Sequence, residues 1–362
     1  SVRLAGWRFD DGVDFTFPPT AQIPAGGYLV VAANGAWISR TYGGINVLGD
    51  WEGQLSNGGE LIRLVDRWGN LVDEVDYKHN GDWPHLADGD GSSMELRHYD
   101  MDNSVSSAWA DSDESNKSTF QEFSYTDTFR QLRTSGSSSD YKELHFHLVG
   151  DAHVVLRNIE MLRNGGGGNI IPGVTNHNNR VSSPSNSSSN GWLIQGTHWA
   201  SFFSGNEMHL ISDGHGDNKC NRAEIDVTAM DANTSYTVNF EARWVHGKPR
   251  LIMQTWDHSI GNAFLIPVPN NLGTPGAPNS RLIPAAAPEI ASVLHSPPVP
   301  RSGQAVTVTA RVSSSAPLAS VEVVHRLDNN NANGSWQRSD MFDDGLTGGD
   351  EVANDGIYTA RI

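Results

Sequence analysis

The stretch "SYTVNFEARWVHGKPRLIMQTWDHS", Ser235–Ser259, decides how this chain folds. Apolar side chains fall at every second place, Tyr236, Val238, Phe240, Ala242 and Trp244. Thr237, Asn239, Glu241, Arg243 and Val245 take the places between. A period of two is that of a strand with one face on a core, so Trp244 reads as a packing residue. After the turn signal "HGKP", the run "RLIMQTWDH" puts Arg250, Ile252, Gln254, Trp256 and His258 on one side of a second strand. If the two strands lie side by side, that set joins Glu241 and Arg243 in one shallow polar face.

The same grammar recurs along all 362 residues. "GGYLVVAAN", "GELIRLVDRWGNLVDEVDY", "KELHFHLVG", "AHVVLRNIEML", "NEMHLISDG" and "AVTVTARV" are short β-rich runs bounded by Gly, Asn or Asp. "RWGN" marks a hairpin turn. The reading is an all-β protein of three consecutive β-sandwich modules. The boundaries are 1–120, 121–285 and 288–362, with "PVPNNLGTPGAPNS" as the proline punctuation that closes the second. Residues within "VTNHNNRVSSPSNSSSNG" form a low-complexity polar loop.

Bulk properties exclude several classes. A net charge of −17 with no basic patch repels polyanions, so nucleic acid is not an expected partner. No apolar run approaches the roughly 20 residues of a membrane span. One cysteine forbids an internal disulfide. Acidic charge and a string of Gly/Asn/Ser-rich β-modules favour an extracellular or cell-surface setting.

Two runs of residues carry a resemblance. "LAGWRFDDG…FTFP…IPAGGYLVVA…QLSNGGELIRLVDRWGNLVDEVDY…DGDGSSMELRHYDMDN…AWADS" resembles the lamin-tail domain of the bacterial kind across nearly all of 1–120. That family implies an immunoglobulin-like sandwich, here lacking its usual first strand. "YTVNFEARWVHGKPRLIMQTW" is similar to the late strands of jelly-roll carbohydrate-binding modules, which often hold a structural calcium. "MFDDGLTGGDEVANDGIYTARI" resembles the end of an immunoglobulin-like module of large bacterial surface proteins. These resemblances imply a lamin-tail sandwich, a jelly roll and a partial immunoglobulin-like domain. They mark the chain as an internal slice of a longer secreted or surface protein.

Candidate chemistry is sparse. In "DGHGDNKCNRAEID" (Asp213–Asp226), Asp213, Asp217 and Asn218 are the hard oxygen donors that calcium prefers. His215, Cys220 and His209 are the softer set for a transition metal, although no C-x-x-C or H-x-x-x-H spacing is present. A plain Gly/Asn turn accounts for the same residues. Asp343, Asp344, Asp350 and Asp355 give a second calcium candidate, and "DGDGSS" (Asp88–Ser93) lacks the twelfth-position Glu of an EF-hand. His145 and His147 share one strand face, with His153 as a third imidazole from the next strand. No carboxylate is read as alternating beside them.

The sugar-binding set is Glu241, Arg243, Gln254, Trp256 and His258, with Trp199 at the border. An aromatic ring would stack on a sugar's C–H face while amide, carboxylate and guanidinium groups fix its hydroxyls. No G-x-S-x-G, H-E-x-x-H or phosphate-binding glycine loop occurs. The expectation is therefore a non-catalytic protein of cell-surface adhesion, assembly or polysaccharide binding. Its partners would be a polysaccharide or surface glycan and other copies or neighbouring domains of the same protein. Two alternatives stand beside it: the ancillary region of a large secreted carbohydrate-active hydrolase, and a purely structural envelope or filament protein.

Overall fold

The computed structural model describes residues 1–130, 143–171, 191–216, 220–228, 230–256, 258–314, 316–326 and 335–362. The chain is all-β; its three five-stranded sheets are antiparallel throughout, while Val30–Ala32 pairs in parallel with Val47–Gly49. Among the described residues one α-helix occurs, Gly35–Tyr42, started by Asn34, whose side chain accepts from Trp37 N at 2.8 Å. Two compact units result: Ser1–Glu95 with Asp111–Ser280, and Leu96–Ala110 with Arg281–Ile362.

The first unit opens with a sheet whose strands run in the order Glu52–Gly53, Val13–Thr16, Arg8–Asp11, Gly59–Val65 and Leu71–Lys78. Asp66 closes the hairpin between the last two, accepting from Trp68 N and Asn70 N at 2.8 and 2.9 Å. Leu4, Phe17 and Ala21 are the buried centre beneath Trp7, Phe9, Phe15 and Leu64.

The rest of that unit is a sandwich of two five-stranded sheets. One runs Gln121–Phe129, Thr234–Gly247, Ala152–Arg163, Glu207–Ser212, Phe202–Ser204. The other runs Leu193–Gln195, Arg222–Asp226, Glu143–Leu148, Arg250–Thr255, Gly261–Leu265. Tyr236, Val238, Phe240, Ala242 and Trp244 all lie inward and buried, as their spacing requires. From the opposing sheet Leu144, Phe146, Leu251 and Met253 meet them, Phe146 standing edge-on to Phe240 at 5.3 Å.

The proline-rich segment after the sandwich turns back onto residues that precede the sandwich in sequence. Buried Glu95 accepts from Thr274 Oγ1 at 2.5 Å and from Ser280 N and Oγ at 2.7 Å each. Gly273 N donates to Glu114 Oε1 at 2.8 Å, while Lys117 Nζ bonds Gly273 O and Tyr42 OH bonds Leu272 O. The sandwich therefore leaves the chain after residue 114 and returns it to the same place near residue 272. Read along the sequence, "PVPNNLGTPGAPNS" closes the second module; in space its Leu272–Ser280 part also bonds Tyr42, Glu95, Glu114 and Lys117, which precede the sandwich.

In the second unit, Glu289–Ser296, Thr307–Ser313 and Ile357–Arg361 form one sheet, and Glu322–His325 pairs with Gln337–Asp340. Val308, Ala310 and Val312 are buried while Thr307, Thr309 and Arg311 between them are more open, matching the alternation of "AVTVTARV".

Candidate functional site

The shared sugar face expected from Ser235–Ser259 does not form. Strand 250–255 pairs with 143–148 and 261–265, whereas strand 234–247 pairs with 121–129 and 152–163. The turn between them hands the chain from one sheet to the other. Its amides are taken elsewhere, Gly247 N by Asp90 O and Lys248 N by Asp151 O, each at 2.8 Å. Gln254 and His258 thus belong to one outer surface of the sandwich, and Glu241 and Arg243 to the opposite one.

On the surface of Glu241, the carboxylate accepts from Arg157 Nε at 2.7 Å and Asn158 Nδ2 at 2.5 Å. Those bonds, Asn158 first, hold its pKa below the ordinary carboxylate value. A bulge between Arg157 and Glu160 turns Asn158 outward to make its bond. Arg243 donates to Ser115 O at 2.8 Å, and Arg157 lies over the Phe120 ring at 3.8 Å. These side chains hold one another.

The richer surface is that of the other sheet, where alternate residues of four adjacent strands meet. Glu224 accepts from Arg222 and, at 3.2 Å, from Gln195 Nε2. His145 Nε2 lies 2.8 Å from Glu143 Oε2 and 3.6 Å from Glu224 Oε2. Beside it Gln254 Nε2 meets His147 Nε2 at 3.1 Å, and Gln254 Oε1 meets His258 Nδ1 at 2.9 Å. His147 Nδ1 lies 2.7 Å from Asn221 O, so that nitrogen carries the proton and Nε2 accepts from the amide. Burial drives the His147 pKa down to about 4, against the pull of that carbonyl, so the ring is neutral.

The result is a lattice of amide, carboxylate, guanidinium and imidazole groups across a sheet face, from Gln195 to His258. His145 and Glu224 are only 3% and 6% exposed and form its floor; His258 stands exposed at its rim. Glu224 of the floor fixes Gln195 and Arg222, while Gln254 fixes His147 and His258, so the outer polar groups are held in set geometries.

Several expected sites change. Trp256 is half-buried and packs against the sandwich core, so it is not a free stacking platform. Trp199 is 60% exposed, in the turn that carries the chain from strand 193–195 to strand 202–204, and so from one sheet to the other. His153 lies on the opposite sheet from His145 and His147, because strand 152–163 does not pair with 143–148. A carboxylate does alternate beside them: Glu143, two residues before His145, lies on the same face and within 2.8 Å of its Nε2.

Glu143, His145 and Glu224 do come within metal-binding reach of one another. Arg222 already occupies Glu224, however, and places a cation where a metal would sit. Asp213 accepts from His215 N at 3.0 Å within its own turn, and Cys220 is exposed and free. Asp217 and Asn218 lie outside the described residues. In the second unit Asp343, Asp350 and Asp355 gather, without Asp344, which caps Leu346 N and Thr347 N. Asp343 accepts from Asp355 N and Gly356 N, and Asp350 from Gly345 N. Backbone donors thus account for that loop's carboxylates as turn formers.

No family model, curated protein or solved structure matches this chain.

Proposed function

We propose that the chain is a non-catalytic, extracellular multi-domain protein that grips polysaccharide or cell-surface glycan. The grip is the polar lattice of Gln195, Arg222, His147, Gln254 and His258 over its floor of Glu143, His145 and Glu224. The observation that carries this reading is the hydrogen-bonded row His147–Gln254–His258, ending in the exposed His258, beside the Gln195–Glu224–Arg222 group on the same sheet face. Its donors and acceptors are preset, and a sugar's hydroxyls can join both kinds. The jelly-roll resemblance of Tyr236–Trp256 and the lamin-tail resemblance of 1–120 support the same setting.

A shallow polar surface buries little area, so each site binds modestly and avidity comes from repetition along the ligand. The test is a glycan array read with the intact chain and three variants. Gln254→Ala and His258→Ala should each weaken binding by about tenfold, the scale of one lost hydrogen bond to a ligand. Arg243→Ala, on the opposite sheet, should leave it unchanged. An array with no binding, or equal loss in Arg243→Ala, defeats the proposal.

A further inference from the structure

We propose that His153 and His209, with His246 beside them, bind a divalent transition ion of the zinc class on the outer surface of the first sheet of the sandwich. The three imidazoles come from three adjacent strands, 234–247, 152–163 and 207–212, and this assignment is independent of the glycan surface on the other sheet. His153 stands opposite His246 in register and diagonal to His209.

His153 Nε2 and His209 Nδ1 face each other at 2.9 Å. Two nitrogens on one tetrahedral zinc sit about 3.3 Å apart, given bonds of about 2.0–2.1 Å. Opening the pair by under half an ångström therefore admits the ion. The His246 ring stands edge-on to His153 with centroids 5.3 Å apart and would have to swing to join as a third ligand.

Of the two facing nitrogens one donates its proton and the other accepts, so a lone pair already points into the gap, and a metal would take that proton's place. Phe202 stacks flat on His209 at 4.4 Å and fixes its plane.

When Nδ1 of His209 takes the metal, its proton belongs on Nε2. That nitrogen lies 3.9 Å from Glu207 Oε2, longer than a hydrogen bond, and a small shift would close it into the carboxylate–histidine pair that supports metal ligands. Glu207 Oε2 also lies 3.8 Å from Arg243 Nη2 and offsets that cation. In the Glu143–His145–Glu224 group, by contrast, Arg222 sits directly on a ligand oxygen.

The experiment titrates zinc into chelator-stripped intact chain by calorimetry, with His153→Gln, His209→Gln and His215→Ala alongside. One equivalent should bind to the wild type, with affinity at least about tenfold weaker in the first two variants. His215→Ala, in the exposed 213–216 turn, should bind as the wild type does. If the glutamine variants fail to fold, copper(II) added to the wild type decides the matter by paramagnetic broadening of imidazole NMR signals. Broadening of His153 and His209 supports the site. Absence of binding, undiminished binding in His209→Gln, loss in His215→Ala, or broadening centred on His145 and His147 overturns it.

Discussion

Trp244→Ala is expected to destabilise the first unit by about 3–5 kcal/mol, the range for removing a large buried aromatic side chain. Trp244 is fully buried, its Nε1 donates to Gly247 O at 2.8 Å, and its ring lies against Gly91. Gly91 precedes the sandwich in sequence, so this indole fastens the sandwich to the segment before it. A Cβ on Gly91 would come within 2.5 Å of Trp244 Cζ2, on a backbone at φ +97° that side chains rarely adopt. Gly91→Ala should therefore be destabilising as well. The double variant should lose less than the sum, because the indole that clashes is gone while the φ strain remains. Urea unfolding of the four proteins checks this; additive losses would mean that the two sites do not communicate through the ring.

The second large effect is acid-linked. His198 is fully buried, and its Nε2 accepts from Leu148 N at 2.8 Å, which requires the neutral ring. Burial, then His147, lowers its pKa from 6.5 to about 4. Below pH 6.5 the unfolded chain takes up a proton that the folded imidazole refuses, so stability falls as pH drops from 6.5 towards 4. His198 alone accounts for about 3 kcal/mol across that window. His147 and His153 act in the same direction.

Acidification also relieves the self-repulsion of a chain carrying −17, which works the other way. His198→Gln separates the two. It should be less stable than wild type at pH 7.5 yet lose less between pH 6.5 and 4.5. Parallel pH profiles for the two proteins would remove His198 from the account.

The strands were legible wherever alternation was clean. Tyr236 to Trp244 and Val308 to Val312 could be assigned to face and burial from spacing alone. Which sheet a strand joins was not. Residues 250–255 follow 234–247 after a two-residue turn, the usual mark of a hairpin, and nothing in the turn's letters says that its amides bond Asp90 and Asp151 instead. That choice splits Glu241 and Arg243 from Gln254 and His258.

The histidines failed to sort for the same reason. His153 is five residues beyond Leu148 but on the other sheet, and its true neighbours, His209 and His246, are 56 and 93 positions away. Glu143 was readable: it precedes His145 by two and had to share its face. The role of Thr274 and Ser280 was hidden, because a buried carboxylate at residue 95 can be matched to its donors only in space.

The most direct measurement of the central claim follows the histidine ring signals by NMR while a bound glycan from the array is titrated in. His145, His147 and His258 should shift together and saturate with one affinity, leaving His153, His209 and His246 in place. Shifts confined to the second group, or spread equally over both, would contradict a glycan grip on the sheet that carries Gln254.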